Sequence, residues 1–98
     1  MKRDKRWNLI KRLVTDGDVK TFNDIFEWLP PTNMAADLGI DLRRLTKLRS
    51  HPGEFKLDEL NTIARFSDLT LRKIYLLVEA EFLKKKEEIK KVKKSSPP

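Results

Sequence analysis

The apolar residues of this chain recur three and four positions apart from one end to the other. No stretch of four or more residues alternates with period two among β-branched residues. That spacing gathers apolar side chains on one face of a helix rather than one face of a strand, so the expected fold is all-α. Trp7, Ile10, Leu13 and Val14 define an N-terminal helix over residues 4–16, stopped at Gly17. Thr21, with Asp24 three residues on, opens a short helix whose Phe22, Ile25, Phe26 and Leu29 share a face, and Pro30-Pro31 ends it. A third helix runs from about Thr32 to Leu38 and stops at Gly39. Asp41 caps a fourth, from Leu42 to about Ser50, which His51-Pro52-Gly53 terminates. Leu57, Leu60, Ile63 and Ala64 mark a fifth, with Asp58 and Glu59 in its positive first turn. Thr70 caps the last, which reaches about Lys94 ahead of a Ser95-Ser96-Pro97-Pro98 tail. Trp7 and Trp28 lie within apolar patterns and are expected in the core rather than as base-stacking platforms, and Tyr75 falls on the apolar stripe of the last helix.

Composition narrows the chemistry. The chain has 98 residues, enough for one domain and too few for a catalytic domain plus a substrate domain. It contains no cysteine and a single histidine, His51, so disulfides, thiolate metal sites and cysteine nucleophiles are excluded, and a histidine metal site or serine–histidine relay has little to build on. The expectation is a non-enzymatic protein with no catalytic residue, metal, cofactor or small-molecule effector. The longest apolar run, Ile74 to Val78, is far below the ~20 residues of a membrane span. The basic start Lys2-Arg3-Asp4-Lys5-Arg6 is followed by no apolar stretch, so a secretory leader is not expected. Cytoplasmic localisation, nucleoid-associated if the protein binds DNA, is the corresponding expectation.

The net charge of +7 is unevenly distributed. Residues 1–13 hold six cations and one anion, residues 84–94 hold seven lysines and two glutamates, and the stretch between them nets −3. Inside that acidic body, residues 42–49 carry Arg43, Arg44, Lys47 and Arg49 with no acid among them. A short cationic segment in an acidic body suggests a surface made for one polyanionic contact.

That segment belongs to the stretch TNMAADLGIDLRRLTKLRS, residues 32–50. It consists of a short helix, a glycine turn, an apolar latch at Ile40 and a second helix capped by Asp41. Helices joined by so short a turn cross steeply, and their contact accepts only small side chains, which Ala35 and Ala36 supply. At 100° per residue Leu45 and Leu48 fall on one side of the second helix with Leu42 at the border. Arg43, Thr46, Lys47 and Ser50 fall opposite, with Arg44 on the flank. Arg49 leans inward, toward packing or an ion pair.

Ala35, Gly39, Ile40, Asp41 and Leu45, followed by the Pro-containing loop His51-Pro52-Gly53 and two further helices, make residues 22–78 resemble the Cro and phage-repressor (XRE-like) helix-turn-helix family of DNA-binding domains. The resemblance implies a domain of about five helices over residues 1–83, with the 4–16 helix outside the family core. Residues 84–98 would form a basic extension. It also implies that helix 42–50 enters the major groove of duplex DNA, with Arg43, Arg44, Thr46 and Lys47 at base edges. Thr32, Asn33, Asp41 and Ser50 would be the backbone contacts, and Ala35, Gly39, Ile40 and Leu45 would hold the motif together. Pro31 stands where the family often has a phosphate-touching polar residue, Arg49 where it often has glutamate, and Ser67-Asp68 where it usually has leucine–glycine.

The implied role is a transcriptional regulator acting by occupancy. Its oligomeric state is open, with a two-fold homodimer the usual solution for a helix that reads only a few base pairs. The alternatives are a protein-interaction or assembly module on the same scaffold and a non-specific RNA binder using both basic ends. Leu71, Tyr75, Val78, Phe82, Lys85, Ile89 and Val92 form a coiled-coil heptad interrupted by Lys85. The preferred reading packs the early part of this helix on the domain and leaves residues 84–94 to reach phosphates. An anionic membrane is the weakest target, since Ile89 and Val92 give too small an apolar face.

Overall fold

Among the described residues, three left-handed positions divide the chain. The computed structural model describes residues 4–95, with side chains described through residue 87. Its elements are α1 (Arg6–Asp16), a 3-10 helix (Phe22–Glu27), α2 (Pro31–Leu38), α3 (Leu42–Ser50), a second 3-10 helix (Pro52–Glu54), α4 (Leu57–Ser67) and α5 (Leu71–Ser95). The fold is all-α, as expected. Helices α1, α2 and α4 end alike. Gly17, Gly39 and Asp68 take φ of 86°, 71° and 57°, and in each case the next residue's N–H reaches back to a carbonyl five positions earlier. For Gly39 this is Ile40 N–H to the Ala35 carbonyl at 3.0 Å, beside Gly39 N–H to the Ala36 carbonyl at 3.2 Å. Asp68 does without glycine what the other two do with it, and its carboxylate lies 2.6 Å from the Lys11 ammonium.

A Cβ placed on Gly39 would meet nothing within 4 Å, so the turn needs glycine for its backbone and not for space. Gly39→Val is expected to cost ~1–3 kcal/mol through the left-handed conformation alone. Thermal unfolding checks this, and an unchanged midpoint would contradict the turn.

The core gathers around Phe22, Ile10, Ile25, Leu29, Met34, Leu45, Ile63 and Ile74, all fully buried. Trp7 belongs to it and Trp28 packs against its edge. Asp24 Oδ2 accepts from the Thr21 N–H at 3.1 Å in the expected capping box, and the Asp24 N–H donates to the Thr21 carbonyl at 3.1 Å, the three-residue step of a 3-10 helix.

Three expectations about packing are corrected. Ala36 is exposed, and of the two alanines only Ala35 is buried. Leu57 opens α4 but is 67% exposed. On α5 the residues that meet the core are Ile74, Leu77, Val78 and Glu81, spaced i, i+3, i+4, i+7, which turns Tyr75 outward and splits the heptad between two faces. Helix α5 is continuous across residue 84, so the basic extension prolongs the last core helix, and the side chains of Ile89 and Val92 lie outside the described residues. Among the described residues no helix is long and apolar enough to cross a membrane.

Candidate nucleic-acid interface

Helix α3 is only nine residues long and is held by its ends and its inner row. Asp41 sits at φ −68°, ψ 141°, and its Oδ1 accepts the Arg43 N–H at 3.0 Å, satisfying one of the first-turn donors. Its carboxylate therefore serves as the helix cap, and the negative charge makes it a poor partner for a phosphate. Leu45 and Leu48 are fully buried, Ile40 is half-buried against the core, and Leu42 at the border is 41% exposed. With those positions inward, Arg43, Thr46, Lys47 and Ser50 come out together on the solvent face, as the helical wheel requires.

Arg44, expected among the base readers, is committed elsewhere. Its guanidinium forms a forked pair with Glu59 of α4, Nε to Oε2 at 3.1 Å and Nη2 to Oε1 at 2.9 Å, and also reaches the Glu54 carbonyl at 3.1 Å. Burial pushes the Glu59 carboxyl up, but the Arg44 hydrogen bond, the Lys56 N–H and the nearby positive charges outweigh it and hold the group below its ordinary value. Arg44 thus fixes α3 against α4 and does not join the exposed row of its neighbours. Lys47 lies 3.2 Å from Glu54, both well exposed, a pair that exchanges readily for another anion.

Arg49 turns inward as expected, with its guanidinium 4.4 Å from the centroid of the Phe26 ring. The Asn23 amide donates to the Arg49 carbonyl at 3.3 Å, and the Asn23 N–H donates at 3.2 Å to Glu81, whose side chain is buried on α5. These bonds bring α5 alongside the end of α3. Lys85 lines one shallow recess with Asn23, Thr46, Arg49 and Ser50. Sequence spacing carries no sign of this meeting, because its members come from three elements.

The start of α2 is arranged differently from the expected backbone contact. Thr32 is exposed, but the Asn33 amide donates to Asp4 Oδ2 at 2.7 Å. Asp37 Oδ2 accepts from the Trp7 indole at 2.8 Å and from the Asp4 N–H at 3.0 Å. Asp4 and Asp37 line the same hollow as Thr32 and Asn33, which opposes an approaching phosphate. The N-terminal segment closes this corner.

The side-chain hydrogen bond from Arg6, with help from the Arg6 N–H and Asn33, holds the Asp4 carboxyl well below the usual carboxylate range. The folded state therefore favours the ionised form. Its contribution is complete above the ordinary aspartate value, near pH ~4, and is lost as pH falls below it toward the lowered folded value. Asp4→Asn should lower stability at neutral pH and flatten the acid limb of stability against pH. Melting curves from pH ~7 to ~2 check this. Parallel profiles for parent and variant would contradict it.

Among the described residues no group of three or more His, Asp or Glu side chains is set to hold a metal. Comparison of the chain with protein-family models, curated proteins and solved structures gives no match.

Proposed function

We propose that this protein binds duplex DNA through the exposed face of α3 and acts as a sequence-specific regulator by occupancy. The observation that carries the reading is the exposed row Arg43, Thr46, Lys47 and Ser50 on the second helix of a glycine-turn pair, within a body whose residues 14–83 net −3. An Arg fork and a Lys ammonium match the acceptors of guanine in the major groove, and a hydroxyl serves either sense of hydrogen bond. Arg43, Thr46 and Lys47 are the base readers in this account. Arg44 is a positioning residue, while Ser50 and Lys85 suit phosphate oxygens at the end of α3. The resemblance of residues 22–78 to the XRE-like family supports the same reading.

Equilibrium titration of a labelled mixed-sequence duplex over a range of salt concentrations tests it. The logarithm of affinity should fall linearly with the logarithm of salt, with a slope of ~0.9 per phosphate contacted. Absence of saturable binding at low salt would overturn the proposal. The second reading, an assembly module, is favoured by one observation, the large apolar side chains left exposed on α5.

A further inference from the structure

Scattered apolar residues are ordinary on a protein surface, but a contiguous row of them is not. Because Ile74, Leu77, Val78 and Glu81 take up the inner face of α5, Leu71, Tyr75, Leu76, Phe82 and Leu83 are left between 37% and 55% exposed, with Leu57 of α4 beside them. Leu57, Leu71, Tyr75 and Leu76 line one shallow groove, and Arg72 and Glu79 line it too. Arg72 and Glu79 are seven residues apart, two helical turns, and so lie on the same side of α5 about 10 Å apart. Among the described residues neither forms an ion pair.

This pattern is self-complementary. When two copies of α5 run antiparallel about a two-fold axis passing between Tyr75 and Leu76, Arg72 of each copy meets Glu79 of the other. Tyr75 of each then lies opposite Tyr75 of the other, and Leu76 opposite Leu76. An isologous interface requires this of a surface, that it match its own rotated image. An unrelated partner would need no cation and anion placed evenly about an apolar centre. We infer that the chain forms a homodimer through antiparallel pairing of α5, centred on Tyr75 and Leu76 and closed at both ends by Arg72–Glu79 ion pairs. The row differs from the heptad suggested by sequence spacing, whose Val78 is buried in the domain. The inference does not rest on the DNA reading, since it is measured without DNA.

Sedimentation equilibrium of the full chain and its variants tests it. The parent should sediment at twice its 11.6 kDa mass. Arg72→Glu and Glu79→Arg should each weaken the dimer about tenfold or more by setting like charges against each other, and the double charge swap R72E/E79R should restore it. Within one chain the two groups are too far apart to pair, so rescue reports contact between copies. Leu76→Glu should yield a monomer. All three positions changed carry exposed side chains, and circular dichroism should show unchanged helicity. A monomeric parent at its highest soluble concentration, a double swap no better than the single variants, or a dimer that survives Leu76→Glu would each overturn the inference.

Discussion

Phe22→Ala should destabilise the protein by ~3–5 kcal/mol, the cost of emptying a fully buried aromatic site that cannot collapse. Phe22 heads the fully buried side chains in volume. Its ring meets Phe26 edge-on at 5.3 Å and Phe55 at 4.9 Å, near-perpendicular in both cases. The 3-10 helix that carries it packs on α5, while Phe55 follows the loop that ends α3. One side chain thus links the exit of α3 to the last helix. A domain of this size has a total stability of ~5–15 kcal/mol, so the variant should sit near its unfolding threshold. Denaturant unfolding followed by circular dichroism measures the change, and a loss under ~1 kcal/mol would contradict the packing described.

The largest functional effect is expected from Arg43→Ala combined with Lys47→Ala. Together they should weaken binding to a preferred duplex by roughly two to four orders of magnitude, each base contact contributing separately. Both side chains are exposed on the face opposite Leu45, so the folded state loses only the exposed pair of Lys47 with Glu54. Stability should stay within about 0.5 kcal/mol of the parent. Arg44→Ala should behave in the opposite way, lowering stability through loss of the Glu59 fork while changing base preference little. Titration of parent and variants against one duplex, beside unfolding curves, separates the two roles. Equal binding by the double variant would remove α3 as the reading helix.

What the sequence made legible was local. Gly17, Gly39 and Asp41 announce their roles because helix ends are decided by the conformation of one or two residues and the donors within one turn. The inward row of Leu45 and Leu48 and the outward row of Arg43, Thr46, Lys47 and Ser50 followed from the helical period alone. Burial of α5 did not, because its apolar residues cover most of its circumference. Two rows could then face the core, and only the rest of the domain selects Ile74, Leu77, Val78 and Glu81. Arg44 looked free for DNA because its partner, Glu59, is fifteen residues away on another helix. The corner made by Asp4, Trp7, Asn33 and Asp37 spans about thirty residues of sequence, and no spacing rule connects such partners.

Selection of bound sequences from a random duplex pool by the full chain, run beside Arg43→Ala, tests the central claim most directly. DNA recognition through α3 predicts a short enriched motif for the parent and loss of preference at one base pair of that motif for the variant. A pool recovered without enrichment by the parent, or the same motif selected undiminished by both proteins, would contradict it.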